Sequence, residues 1–147
     1  MSVTVPCRTI AHEAAHRAVA AAVAHGLMLG KPVNAAVVDR GGNLVAFLRA
    51  EGAPLHSAEI AIDKAYTAVS FGFPTGEWPR VLDDLSPGAR VGLPAVRRLT
   101  PFAGGLPILV NGERIGAIGV SGASEEEDES CARAGLRVIV GGDEEAV

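Results

Sequence analysis

His12-Glu13-Ala14-Ala15-His16 is the arrangement with the most explicit chemistry in this sequence. On a helix, H-E-x-x-H sets two imidazoles on one face, where they could hold zinc while the glutamate acts on zinc-bound water. The motif opens an Ala-rich helix with no element ahead of it to build a cleft, and neither Glu51 nor Glu59 sits in a motif that marks a third ligand. We therefore expect two surface histidines beside Val19 and Val23 and no metal, and joint replacement of both by alanine should leave folding and any turnover intact. His12, His16, His25 and His56 could each ligate a haem iron through one nitrogen, which requires no motif. C-x-x-C-H for covalent haem is absent.

Lys64, in Asp63-Lys64-Ala65-Tyr66-Thr67-Ala68, falls near the apolar side of a helix with Ile60 and Phe71. An amine desolvated there has a lowered pKa and could act as a base, a carbonyl-binding amine or an anion contact, with Glu59 or Asp128 as its carboxylate. The plainer alternative is a lysine that snorkels or pairs with Glu59 or Asp63. Gly104-Gly105 and Gly119-Val120-Ser121-Gly122 would let backbone approach a ligand closely, and neither is a dinucleotide fingerprint or a G-x-S-x-G elbow. The expected pocket lies where the second helix meets the ends of the second hairpin. Its boundary is Lys64, Phe102, Gly104, Gly105, Ser121 and Asp128, with His56 the next residue to consider. Lys64→Met is expected to remove binding or turnover while sparing the fold.

The elements that must position these groups follow from spacing. Ala11, Ala15, Ala18 and Ala22, widened by Val19 and Val23, predict a helix from about Thr9 to Leu29, stopped by Gly30, Lys31 and Pro32. Val33–Asp39 and Asn43–Arg49 flank Arg40-Gly41-Gly42 as a hairpin. Ser57 is placed to cap a second helix running to about Phe71. From Thr75 to Val96 the prolines suggest short helical turns. A second hairpin, Leu106–Val110 and Arg114–Val120, turns at Asn111-Gly112, where both residues tolerate positive φ. Ser124-x-x-Glu127 is a capping box, and the run Glu125–Glu129 suits the first turn of the last helix, to about Val140.

The chain has 147 residues, enough for one domain over 1–147 without disulfides or structural metal. Hydrophobic residues make up 48% but aromatics only 4%, which favours close backbone packing over thick side-chain layers. A net charge of −4 with scattered Lys and Arg excludes nucleic acid as an expected partner. Two cysteines, Cys7 and Cys131, show no metal-ligand spacing. The opening segment lacks a basic start and sustained apolar stretch, so no membrane partner is expected and the expected address is the cytoplasm.

The stretches Val37–Phe47, Ala53-Pro54, Ala61-x-x-Lys64-Ala65-x-Thr67-Ala68, Phe73-Pro74-Thr75, Gly104–Ile108 and Gly112–Gly122, followed by Asp128, resemble the GlcG/HbpS-like, haem-binding-protein-like family. The resemblance covers nearly the whole chain in order. It implies an α/β fold of the α+β type: a profilin-like single domain with a five-stranded antiparallel sheet and flanking helices. It also implies self-assembly, and kinship with the C-terminal domain of PduO-type corrinoid adenosyltransferases. The leading expectation is a cytoplasmic homo-oligomer binding a small molecule, with haem or a corrinoid as candidates. The alternative is a small cofactor-independent isomerase, lyase or hydrolase using Lys64 and a carboxylate.

Overall fold

The computed structural model describes residues 1–140, so the part of the expected 1–147 domain beyond Val140 lies outside the described residues. The long elements are α1 (His12–Met28), β1 (Asn34–Asp39), β2 (Leu44–Arg49) and α2 (His56–Phe71). Two short helices follow, α3 (Trp78–Asp83) and α4 (Pro87–Gly92), then β3 (Gly105–Val110), β4 (Glu113–Ser121) and α5 (Glu125–Val140). The strands form one antiparallel sheet in the order β2-β1-β4-β3.

That sheet has four strands, which corrects the five implied by the family resemblance. The intervening segment carries Pro74, Pro79, Pro87, Pro94 and Pro101, and proline cannot donate to a ladder. It winds instead into helical turns, anchored by Trp78, whose ring meets Phe71 edge-on at 4.9 Å and Phe73 at 5.1 Å.

Alternation along the central strands sends side chains to two cores. Ala35, Val37, Ile118 and Val120 meet α1 and α5 on one face. Val38 and Ala117 meet Ala65, Ala68 and Val69 of α2 on the other. Small residues let the layers close tightly. A Cβ on Gly119 would collide with the Ala61 carbonyl, and one on Gly135 would lie 2.8 Å from the Ala18 carbonyl, so α2 rests on β4 backbone and α5 on α1.

Asn111 (φ 51°) and Gly112 (φ 77°) form the expected turn, and Ser124 and Glu127 close the expected capping box through two 3.2 Å bonds. Two helix starts differ from expectation. α1 begins at His12 because Thr9 and Ile10 are drawn onto the sheet: the Ile10 amide donates to the Ile115 carbonyl at 3.0 Å, and Thr9 Oγ1 accepts from the Arg40 amide. Ser57 does not cap α2. It is buried, and its amide donates to the Pro54 carbonyl and that of Ala58 to the Leu55 carbonyl, so backbone bonds take up two of the first-turn amides.

Cys131 packs between α1 and the sheet, and burial pushes its thiol up to about 11, whereas Cys7 is exposed. A thiol reagent at about pH 8 is therefore expected to label Cys7 alone in the folded protein and both cysteines in denaturant. Native labelling of both, counted by mass, would contradict this packing. No helix among the described residues is long and apolar enough to cross a membrane.

Candidate functional site

Lys64 leaves α2 on the face pressed against the sheet, because Ala61, Ala65 and Ala68 hold the helix close to β4. Its side chain is fully buried. Nζ donates to the Val120 carbonyl at 2.9 Å and to Asp128 Oδ2 at 3.0 Å, and the Phe102 ring covers it with its centroid 5.1 Å away. Asp128 Oδ1 accepts from the Ala123 amide at 2.9 Å, so the carboxylate also pins the turn between β4 and α5.

Gly104 and Gly105 are required by this arrangement. A Cβ on Gly104 would sit 2.6 Å from Lys64 Nζ, and one on Gly105 would strike the Lys64 carbonyl. Burial lowers the Lys64 pKa despite the neighbouring Asp128 charge, and burial raises that of Asp128 despite Lys64. Desolvation thus outweighs attraction on both partners, the usual balance for a buried pair.

The structure therefore brings Lys64, Asp128, Phe102, Gly104 and Gly105 together, with the buried Ser121 next along β4. Glu59 and His56 stand apart and exposed; Glu59 faces a hollow shared with Arg97 and Arg98. Lys64 pairs with neither Glu59 nor Asp63, and Asp63 binds Arg98 instead at 3.0 Å. Because Asp128 depends on Lys64, the expectation that Lys64→Met spares the fold gives way to a large loss of stability.

A larger hollow lies elsewhere, an open groove of about 890 Å³ between α1 and the edge strand β2. His12, Glu13, His16, Arg17 and Ala20 form one stripe of α1 along it, and Val45, Ala46, Phe47 and Leu48 form the opposite wall. Four and eight residues apart, His12, His16 and Ala20 share a helix face, with about 5–6 Å between neighbouring Cβ atoms. Both imidazoles thus approach from one side and could serve as alternative, not opposed, ligands to one centre.

Sequence reasoning named these histidines but not the wall they face. Its signal was five consecutive apolar residues, Leu44 to Leu48, in a strand with no outer neighbour, leaving Phe47 37% and Leu48 39% exposed. Among the described residues, no three His, Cys, Asp or Glu side chains come together as a metal-holding group.

Fold and groove define an α+β domain whose four-stranded antiparallel sheet is helix-covered on both faces and open along one edge. The chain belongs to the HbpS-like family: the family model described as haem degrading protein HbpS-like matches residues 10–137. An uncharacterized 15.0 kDa protein from the dhaT-dhaS intergenic region of Citrobacter freundii is 39% identical over 87% of this chain and 90% of its own. The corrinoid adenosyltransferase PduO of Salmonella typhimurium is 34% identical over 84% of this chain, which spans only 37% of that longer protein.

Among solved structures, a double mutant of Streptomyces reticuli HbpS superposes with a TM-score of 0.85 at 37% identity, covering 92% of this chain and 90% of that one. The PduOC:heme complex gives 0.81 at 32% identity, covering 89% and 95%.

Proposed function

We propose that this protein binds a tetrapyrrole, haem in the first instance, in the groove between α1 and β2, as a cytoplasmic homo-oligomer. The observation that carries the reading is the α1 stripe, which sets His12 and His16 over an apolar wall in a hollow of about 890 Å³. That size falls within the roughly 300–1,000 Å³ of small-molecule sites. The donor set suits haem: a neutral imidazole can supply an axial nitrogen, Val45 to Leu48 can cover the macrocycle, and Arg17 can pair with a propionate. The heme complex of the relative PduOC supports haem over a corrinoid. Self-association is supported by Leu44, Phe47 and Leu48, which leave apolar surface on the unpaired β2 edge.

Haemin titrated into the protein is expected to develop a Soret band saturating at one equivalent per chain. Ala20→Trp places an indole in the groove from an exposed helix position and should abolish the band at unchanged thermal stability. An unaltered titration by Ala20→Trp would move the site out of the groove.

A second reading keeps Lys64 and Asp128 as the reacting pair of a cofactor-independent enzyme, with Glu59 as a more distant carboxylate. It is favoured by a lysine amine whose pKa burial lowers beside a carboxylate, under a Phe102 ring that is 39% exposed and could swing aside for a carbonyl substrate.

A further inference from the structure

On the sheet face opposite α1, beside the β1–β2 turn, lies a hollow of about 290 Å³ lined by Arg40, Gly41, Gly42, Tyr66, Val69, Ser70 and Arg114. We propose that Arg40, Arg114, Tyr66 and Ser70 form a recognition pocket for the oxyanion, carboxylate or phosphate, of a small metabolite.

Its chemistry is that of cationic donors in excess of anionic acceptors. Arg114 makes no ion pair among the described residues, whereas its neighbour Arg40 pairs with Glu113. Its guanidinium lies against Gly72, where a side chain would displace it. Arg40 spends Nη1 on Glu113 Oε1 at 3.2 Å and on the Arg114 carbonyl at 3.0 Å, which fixes the guanidinium while leaving Nη2 and Nε. Two guanidiniums against one carboxylate leave the pocket positive in a chain of net charge −4. Glu113 is the acidic group at its rim, and Asp39 is turned away onto Gly41 and Asn43.

The pocket is also held in shape. Tyr66 is clamped between the Arg98 guanidinium, 3.7 Å from the ring centroid, and Gly42, whose missing Cβ would lie 2.9 Å from Tyr66 Cε2. Arg98 reaches this position from a left-handed backbone, φ 67°, that a non-glycine residue adopts only when its surroundings impose it. Ser70 follows Tyr66 by one helical turn, and both line the hollow with the two arginines. A planar guanidinium fork binds carboxylate or phosphate oxygens in pairs, and the small volume restricts the ligand to little more than the anionic group. This site lies across the sheet from the haem groove and stands or falls independently of it.

The test is a titration of the ¹⁵N-labelled full chain with inorganic phosphate and, separately, succinate, each at constant ionic strength against sodium chloride. Saturable shifts at Gly41, Gly42, Ser70 and the Arg114 Nε–H are expected, and the tighter of the two probes identifies which oxyanion the pocket prefers. Arg114→Gln should weaken that probe by about tenfold or more, the worth of a charged hydrogen bond. Arg97→Gln, outside the pocket, should leave it unchanged. Should Arg114→Gln fail to fold, Ser70→Asp replaces it: the exposed position accepts the change, and the new carboxylate should occupy the arginines and abolish binding. Shifts equal to those from chloride, or undiminished binding by the folded Arg114→Gln or Ser70→Asp protein, would overturn the proposal.

Discussion

Lys64→Met is expected to lower the stability of the folded protein by about 3–5 kcal/mol, the cost of leaving one charge of a buried pair without its partner. Methionine keeps the stem and restores the packing against Gly104, but Asp128 would retain only the Ala123 amide, and the Val120 carbonyl would lose its 2.9 Å donor. Lys64→Met with Asp128→Leu should recover much of that loss, since desolvation already opposes ionisation of both groups.

The pH dependence has a definite sign. Asp128 has a folded pKa raised above its ordinary value of 3.8, so between the two values the folded state holds more protons and stability falls as pH rises. Without Lys64 that effect grows, and the deficit of Lys64→Met against wild type should narrow on acidification. Lys64 acts oppositely in the wild type: its lowered pKa makes the unfolded state bind more protons up to 10.5, so this group's contribution rises with pH there. Chemical denaturation of the wild type, both single variants and the double variant at several pH values measures all of this. A Lys64→Met protein as stable as wild type would show that the pair carries no structural weight.

His16→Ala is expected to weaken haemin binding by about tenfold or more, and His12→Ala by less, an axial imidazole bond being worth at least as much as a strong hydrogen bond. His16 stands one turn further along α1, between His12 and Ala20 in the groove lining, whereas His12 is the first residue of the helix. Both histidines are exposed, so neither change should move the thermal midpoint. Absorption titration of the two variants separates them, and an equal, small effect of both would mean that either histidine can replace the other, which would contradict the preference for His16.

What the sequence made legible is what local chemistry specifies. The second hairpin was readable because Asn111 and Gly112 both need positive φ, and the last helix because Ser124 and Glu127 satisfy each other's amides. The α1 and α2 stripes were readable from alanine spacing. The strand count was misjudged only where resemblance stood in for residues, since the two hairpins themselves supply four strands.

Long-range pairings left only a partial trace. The sequence offered Glu59 and Asp128 alike as the carboxylate for Lys64, and the choice of Asp128, sixty-four positions away, depends on α5 docking beside β4, while the nearer Glu59 and Asp63 point elsewhere. The groove was illegible for the same reason, because nothing in the α1 motif reveals that β2 is an edge strand lying across from it. Arg40 and Arg114 converge only through the pairing of β1 with β4.

The central claim, a tetrapyrrole held in the α1–β2 groove by a histidine of α1, is tested most directly by titrating haemin into the His12→Ala, His16→Ala double variant with and without free imidazole. The Soret band is expected to be lost or greatly weakened in buffer and to be restored by imidazole entering the vacated position. A band identical to wild type without imidazole would contradict the account and transfer the iron ligand to His25, His56 or another residue outside the groove.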